Sequence, residues 1–357
     1  MSIKSSSIHQ LSLPGFLRKN PAVFLVGFFI LVVVGAAALA LLLRGSASSL
    51  HTVPFQVGNA DRTGLLATYE GHNEAVRTVA FTADGRTLAT GSFDGTIQLW
   101  ETATGKVIHT LEGHAGAVRS VVFTPDGSLL ASASFDHSVR LWRVKDGELL
   151  ETLVGQETSV NAADISPDGR TLAAAGNDGV IWLWDLDGEK VTLLTTLQQL
   201  QPIMGLSFSP DSQLLAAASF DNGVYVWPVT ASTNQAYLVG SHDGWVYGVD
   251  YSPDGKVVAS ASVDGSVRLW RVVDGHLMQN LPDAGVTVYS VAFSPDGSIL
   301  ASSTADGLIQ LWNTADGTLL KTLEGHELGV LSLAFTADGD LLASGSADGT
   351  VKLWGVR

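Results

Sequence analysis

The sequence predicts an all-β fold, a seven-bladed β-propeller, and three observations support this. A phrase of an aromatic residue or Ile, then Ser or Thr, any residue and Asp recurs every 42 or 43 residues, beginning at Phe81, Phe123, Ile165, Phe208, Tyr251, Phe293 and Phe335. A Trp follows each phrase 19 residues later, at Trp100, Trp142, Trp184, Trp227, Trp270, Trp312 and Trp354. Asp-Gly pairs between short alternating segments indicate β-hairpins. A period of about 40–45 residues is typical of four-stranded sheets arranged radially.

The first repeat shows how its residues form the four strands. Residues 76–81 have an alternating side-chain pattern rich in β-branched residues, which predicts the first strand. Residues 87–92, after the turn at Asp84-Gly85, are predicted to form a second short strand. Residues 96–100 follow Asp94-Gly95, and residues 106–111 complete the repeat. Four antiparallel strands leave two sheet faces to be covered, and packing the sheets around an axis covers both.

The front of the repeat region predicts how the ring closes. The chain ends three residues after Trp354, so the last repeat lacks its fourth strand. Residues 63–72 parallel residues 316–326, the fourth strand of the preceding repeat. We therefore expect residues 62–70 to supply the closing outer strand of the last blade, within a propeller of residues 62–357. Closure of this kind leaves no sheet edge exposed inside the ring.

The repeats resemble those of the WD40 family over residues 62 to 357. In that family a His, a Ser or Thr, an Asp and the third-strand Trp form a buried hydrogen-bonded set. The resemblance implies four complete structural sets: His72, Thr90, Asp94 and Trp100; His114, Ser132, Asp136 and Trp142; His242, Ser260, Asp264 and Trp270; His326, Ser344, Asp348 and Trp354.

Three repeats depart from this pattern. The third has Gln156 and Ala174 in the His and Ser positions, the fourth has Gln199 and Ala217, and the sixth lacks a His near Ala284. A partly filled polar network stabilises less than a complete one. We therefore expect the third, fourth and sixth blades to open more easily than the others.

The N-terminal segment predicts a membrane anchor. Residues 22–43 contain no charged side chain, and as a helix they would be about 33 Å long, enough to cross a hydrocarbon core of about 30 Å. The basic residues Lys4, Arg18 and Lys19 precede this segment. Their excess of positive charge on the N-terminal side favours a cytoplasmic N-terminus and an extracytoplasmic propeller. The expected organisation is thus a short cytoplasmic head at 1–21, a single transmembrane helix at 22–43 and a linker at 44–61. A cleaved signal peptide is the alternative.

Composition excludes several classes of function. Residues 45–357 hold 16 basic and 35 acidic residues, a formal charge of −19, so nucleic acid is an unsuitable partner. The chain has no Cys, and no nucleotide-binding glycine loop or nucleophile elbow occurs. The four His residues in the Gly-His position lie on separate repeats, and the repeated Asp residues are typical turn formers. We therefore expect a protein that is not an enzyme and that uses no metal and no cofactor.

Positions at which the repeats differ indicate the partner surface. In WD40 proteins the residue after the start of the first strand and the residue before the turn Asp face partners around the central channel. Aromatic residues and Arg are enriched in interface hot spots. The candidate partner-binding residues are Arg77, Phe93, Arg119, Phe135, Asn161, Met204, Phe220, Trp245, Tyr247 and Tyr289. The predicted function is a membrane-anchored scaffold, with a monomeric propeller, for a protein or peptide. The alternatives are a hydrolase or lactonase acting at the channel mouth and a sensor working through a membrane partner.

Overall fold

The structure is a computed structural model, and it describes residues 52–357 except 154–156, 188–189, 200, 230–234 and 283–285. Within these residues the chain forms seven four-stranded antiparallel sheets, preceded by one 3-10 helix, Val57–Arg62. The prediction of an all-β, seven-bladed propeller is confirmed. Across the described residues, no helix has the length and apolar character needed to span a membrane. The predicted membrane helix at 22–43 lies outside the described residues.

Blades are numbered here from the first repeat, and each runs from an inner to an outer strand. Blade 1 contains β2 (Val76–Phe81), β3 (Thr87–Ser92), β4 (Ile97–Glu101) and β5 (Lys106–Leu111); blade 2 contains β6 (Val118–Phe123), β7 (Leu129–Ser134), β8 (Val139–Arg143) and β9 (Leu149–Leu153). Blade 3 contains β10 (Val160–Ile165), β11 (Thr171–Gly176), β12 (Val180–Asp185) and β13 (Thr192–Gln198); blade 4 contains β14 (Ile203–Phe208), β15 (Leu214–Ser219), β16 (Gly223–Pro228) and β17 (Tyr237–Ser241).

The remaining three blades follow the same order, and the last one takes its outer strand from the front of the propeller. Blade 5 contains β18 (Val246–Tyr251), β19 (Val257–Ser262), β20 (Ser266–Arg271) and β21 (Leu277–Pro282); blade 6 contains β22 (Val288–Phe293), β23 (Ile299–Thr304), β24 (Ile309–Asn313) and β25 (Leu319–Leu323). Blade 7 contains β26 (Val330–Phe335), β27 (Leu341–Ser346), β28 (Thr350–Val356) and β1 (Thr63–Glu70).

The third strand of blade 1 begins one residue later than the sequence pattern predicts. Thr96 belongs to the turn instead, since its N–H donates to Asp94 Oδ1 at 2.9 Å. Gly95 within this turn has a φ of 81°, a left-handed conformation that Gly adopts without a steric penalty. Asp94 and Gly95 therefore set the point at which the hairpin reverses.

The ring is closed by β1, which pairs with β28 in antiparallel register from Thr63 opposite Val356 to Glu70 opposite Thr350. Tyr69, near the end of β1, is buried and stacks on Trp100 of blade 1 with ring centroids 5.4 Å apart. The Tyr69 hydroxyl also donates to the carbonyl oxygen of Thr102. The closing strand thus belongs to blade 7 and packs against blade 1, so it joins both sides of the closure.

The hydrophobic core is divided into seven layers, and each layer lies between two neighbouring blades. The layer between blades 7 and 1, for example, joins Leu353 and Val351 to Val76, Leu88 and Trp100. The corresponding layers complete the circuit. Because each sheet buries its two faces against two neighbours, no blade has a core of its own. This arrangement holds the inner strands in fixed positions around the central channel.

Candidate functional site

A β-bulge places one residue of every inner strand at the same end of the central channel. In each blade the pairing of the inner strand with its neighbour skips the second residue of the strand. A bulge of this kind re-aims a side chain away from the regular alternation. The seven residues are Arg77, Arg119, Asn161, Met204, Tyr247, Tyr289 and Leu331, and all of them line a channel cavity of about 580 Å³. We call this set the channel mouth.

Two Arg residues occupy matching places in blades 1 and 2. Arg77 donates from Nη1 to the Leu331 carbonyl oxygen at 2.8 Å. Arg119 places its guanidinium carbon 5.0 Å from the centroid of the Phe135 ring, a cation–π contact. Burial, and secondly the positive charge of Arg77, lower the pKa of Arg119 to about 8. The mouth therefore concentrates positive charge on one side of the ring.

Aromatic side chains form two clusters beside the mouth. Phe93 and Phe135 meet edge to face with centroids 6.3 Å apart, and both are about one-third exposed. On blades 4 and 5, Phe220 stacks on Trp245 at 4.5 Å, and Trp245 is 49% exposed. Tyr247 joins the second cluster, since its ring meets that of Phe220 edge to face with centroids 5.9 Å apart. We call Phe93 and Phe135 the Phe135 cluster, and Phe220, Trp245 and Tyr247 the Trp245 cluster; both flank the mouth with partly exposed aromatic rings.

Asn161 and Met204 differ from the other candidate residues because both are buried. The Asn161 amide nitrogen donates to Asn177 Oδ1 at 2.8 Å and to the Ile203 carbonyl oxygen at 3.0 Å. It also contacts the Met204 sulfur at 3.4 Å. These contacts tie blade 3 to blade 4. Both side chains therefore form the wall of the mouth, while Phe93, Phe135 and Trp245 present open surface.

The four complete structural sets lie inside their blades and share one geometry. In blade 2, His114 Nδ1 lies 2.8 Å from Asp136 Oδ2, and both His114 Nε2 and Trp142 Nε1 lie 2.8 Å from Ser132 Oγ. The same atoms approach within 2.7–3.0 Å in the other three sets: His72, Thr90, Asp94 and Trp100; His242, Ser260, Asp264 and Trp270; His326, Ser344, Asp348 and Trp354.

The protonation of these sets follows from their surroundings. Burial lowers the pKa of each His, and that of His242 falls to about 4. Burial alone would raise the pKa of Asp136, but hydrogen bonds from Ser138 and His114 outweigh it and lower the pKa to about 2. A neutral His114 thus donates from Nδ1 to a charged Asp136. Its Nε2 accepts from the Ser132 hydroxyl, which in turn accepts from the indole N–H of Trp142.

Blade 4 shows what happens when the His and the hydroxyl residue of the structural set are replaced by other residues. Ala217 replaces the hydroxyl residue, and the buried indole N–H of Trp227 has no hydrogen-bond partner among the described residues. Gln199 replaces the His and still donates to Asp221 Oδ2 at 2.9 Å. In blade 6, Trp312 donates to Ser302 Oγ at 2.9 Å. Gln156 and Ala284, which mark the departures in the third and sixth repeats, lie outside the described residues.

Hydrogen bonds between neighbouring inner strands form a feature that the sequence analysis missed. Each of the seven junctions between blades carries a bond between an inner-strand side chain and a backbone group of the next blade. In order round the ring the pairs are Thr78–Val121, Ser120–Ala163, Asp164–Phe208, Ser207–Tyr251, Asp250–Phe293, Ser290–Leu333 and Ser332–Val79. The available signal was the occurrence of polar residues at the third or fifth position of otherwise apolar strands.

Two of these junction residues are acids that line the channel. Asp164 accepts from the Phe208 N–H at 2.7 Å, and Asp250 accepts from the Phe293 N–H at 2.8 Å. Burial raises the pKa of each carboxyl to about 7, although these hydrogen bonds act in the opposite direction. Both acids are thus engaged in joining blades. Over the part of the chain that the structure describes, no group of three or more His, Asp or Glu residues is arranged to hold a metal ion.

Seven segments of the chain match the family model described as "WD domain, G-beta repeat": residues 63–101, 105–143, 147–185, 192–228, 233–271, 273–313 and 317–355. The chain is 47% identical over 49 residues to vegetative incompatibility protein HET-E-1 of Podospora anserina, covering 14% of this chain and 4% of that protein. It is 47% identical over 51 residues to eukaryotic translation initiation factor 3 subunit I of Phaeosphaeria nodorum, covering 14% of each. Over 41 residues it is 44% identical to ribosome biogenesis protein ERB1 of Debaryomyces hansenii, covering 12% of this chain and 5% of that one.

The matches to individual proteins are short, and they span far less than two thirds of each relative. The family model, by contrast, matches in seven consecutive segments from residue 63 to residue 355. Each segment begins at the outer strand of one blade and continues through the first three strands of the next, so the seven segments together cover all seven blades. The protein therefore belongs to the WD40 repeat family.

Proposed function

We propose that the protein is a membrane-anchored scaffold that binds a protein or peptide partner at the mouth of the propeller channel. The observation that carries this is the convergence of seven bulge residues and two exposed aromatic clusters on one end of the ring. The inner strands are held by core layers and by side-chain hydrogen bonds at every junction. A surface that is already ordered loses little conformational entropy when a partner binds.

The chemistry of the channel favours binding over catalysis. A hydrolase would need two acids, or an acid and a His, free to act in a cleft. Asp164 and Asp250 accept backbone hydrogen bonds across the blade junctions, and the His residues of the structural sets are occupied inside their blades. The names of two relatives, a subunit of a translation initiation factor and a ribosome biogenesis protein, also agree with roles in assemblies.

A capture experiment tests the binding surface. Full-length tagged protein is isolated from membranes, and the co-purifying proteins are identified by mass spectrometry and then quantified for variants. We expect Arg77→Ala, Phe135→Ala and Trp245→Ala each to reduce capture at least several-fold, since such residues act as hot spots. Leu238→Ala is the matched control, because Leu238 is as exposed as Trp245 but lies on an outer strand. Normal capture by all three variants would place the docking surface elsewhere.

The proposed anchor is the uncharged segment at 22–43, with the propeller outside the cytoplasm. The absence of charge over 22 residues and the basic residues that precede the segment support this orientation. Protease added to intact cells should then degrade the propeller, while a cytoplasmic control protein stays intact. Protection of the propeller in intact cells, with degradation after lysis, would contradict the orientation.

A further inference from the structure

Among the described residues, Arg77 and Arg119 have no acidic partner, in contrast to other partly buried Arg residues of the propeller. Arg140 Nη2 lies 3.9 Å from Asp136 Oδ2, and Arg268 Nη2 lies 3.1 Å from Asp243 Oδ2. Among the described residues, no carboxylate lies within ion-pair distance of Arg77 or Arg119. The two guanidiniums at the mouth are thus without counter-charge in a chain that has 35 acidic residues.

The arrangement is unfavourable for the free protein. Removing a cation from water without pairing it costs free energy, and a second cation nearby adds repulsion. Burial and the charge of Arg77 both lower the pKa of Arg119, and a bound anion would offset both effects. These features indicate a site that is completed by a negatively charged group from outside.

The depth at which such a group binds follows from the charges in the channel. Asp164 lies three residues beyond Asn161 on the same inner strand, which corresponds to about 10 Å at roughly 3.3 Å per residue. An anion that passed beyond the mouth would approach Asp164 and Asp250, both of which line the same cavity. The favourable position for a negative charge is therefore the mouth itself, beside Arg77 and Arg119.

The flanking surfaces define what surrounds that charge. The Phe135 cluster lies on blades 1 and 2, beside the two Arg residues, and the Trp245 cluster lies across the mouth on blades 4 and 5. Both present exposed aromatic rings, which suit apolar side chains. Guanidinium groups bind carboxylates through paired, planar hydrogen bonds. A peptide segment with a central acidic residue and apolar residues on both sides matches this pattern of charge and shape.

We propose that the channel mouth binds an acidic peptide segment of the partner protein, with one Asp or Glu carboxylate placed between Arg77 and Arg119. Apolar residues on either side of it contact the Phe135 cluster and the Trp245 cluster. This inference rests on the proposed scaffold function and specifies the chemistry of the partner.

Selection from random peptides tests the proposal without knowledge of the natural partner. Phage displaying random nonapeptides are selected on the full-length protein in detergent, and enriched peptides are synthesised. We expect enrichment of Asp or Glu with apolar neighbours. For the tightest peptide, replacing its acid by the corresponding amide should weaken binding about tenfold or more. Because this arm changes only the peptide, it does not depend on the folding of a protein variant.

A double-mutant cycle then locates the carboxylate. Arg119→Gln should weaken binding of the acidic peptide by a similar factor. It should bind the amide peptide no worse than the wild-type protein does, because both changes remove the same interaction between the peptide carboxylate and Arg119. Arg143→Gln is the matched control, since Arg143 is exposed and paired with Asp146 and Glu148 on a surface turn. Binding to Arg143→Gln should be unchanged.

The outcomes separate this inference from the proposed function. Peptides that lose affinity with Phe135→Ala but show no acidic preference, or no coupling to Arg119, would overturn the acidic partner and leave the scaffold function in place. Selection that yields no peptide sensitive to Phe135→Ala, Trp245→Ala or Arg119→Gln would count against both.

Discussion

Blades 2 and 4 contain two versions of the same buried site, one with the hydroxyl of Ser132 and one with the methyl group of Ala217. Ser132 in blade 2 precedes Trp142 by ten residues, and Ala217 in blade 4 precedes Trp227 by the same interval. Ser132 is fully buried and lies 2.8 Å from both His114 Nε2 and Trp142 Nε1. Ala217 is also fully buried, and within the part of the chain that the structure describes the Trp227 indole N–H has no hydrogen-bond partner.

Ser132→Ala removes the partner of two buried groups at once. An orphaned buried donor or acceptor costs about 1–3 kcal/mol, so the loss for two groups should lower the free energy of unfolding by about 2–6 kcal/mol. Ala217→Ser is the reverse change and supplies an acceptor to Trp227. We expect it to raise the free energy of unfolding by about 1 kcal/mol, the usual net value of one buried hydrogen bond.

Urea unfolding followed by circular dichroism measures both effects, because the midpoint shifts at constant slope when only stability changes. Ser128→Ala is the control, since Ser128 is exposed and its hydroxyl bonds only to Asp126 in the same turn. It should change stability by less than about 0.5 kcal/mol. If Ser132→Ala has an effect no larger than that of Ser128→Ala, the reasoning about the buried set is refuted.

Two further predictions concern ring closure and pH. Tyr69→Ala should lower the free energy of unfolding by about 3–5 kcal/mol through loss of its stack on Trp100, whereas Leu65→Ala, on an exposed part of β1, should have little effect; similar urea midpoints for the two would argue against closure through β1. Burial raises the pKa of Asp164 and Asp250 from 3.8 to about 7, so the stability that their protonated forms contribute is complete below pH 3.8 and is lost as the pH rises through 7. The double variant Asp164→Asn/Asp250→Asn should therefore show a smaller fall in urea midpoint between pH 6.5 and 8 than the wild type. An equal fall in midpoint for both proteins would contradict this.

The repeats of the sequence were sufficient to predict the blades. The Asp-Gly turns and the alternation of apolar and polar residues specify hairpins through local hydrogen bonds, so each repeat forms strands in the same way. The 42-residue period and the phased Trp residues show where each repeat begins again. In the first repeat the strand bounds were predicted to within a residue; the difference at Thr96 arises because its N–H donates to the side chain of the turn residue Asp94. Period and count together identified a seven-membered ring.

The channel mouth could be predicted only in part. Arg119 and Asn161 hold equivalent positions in their repeats. Of the residues that the structure describes, no carboxylate pairs with Arg119, whereas Asn161 is buried against blade 4. The difference depends on the residues that the neighbouring blade brings to the same place. A sequence pattern within one repeat contains no information about those residues.

The sequence by itself therefore determined the architecture, because six of the seven blades pair strands that are consecutive in the chain, and the seventh takes its outer strand from a segment that repeats the fourth-strand pattern. The tertiary structure decided which side chains are joined across blades, such as Asp164 with Phe208 and Ser332 with Val79, which are 44 and 253 residues apart. It also decided that the guanidiniums of Arg77 and Arg119 meet at one end of the channel, where no carboxylate from residues 52–357, apart from the gaps named above, pairs with them. The physical reason is that burial and pairing depend on the packing of one blade against the next, which is established only when the ring closes.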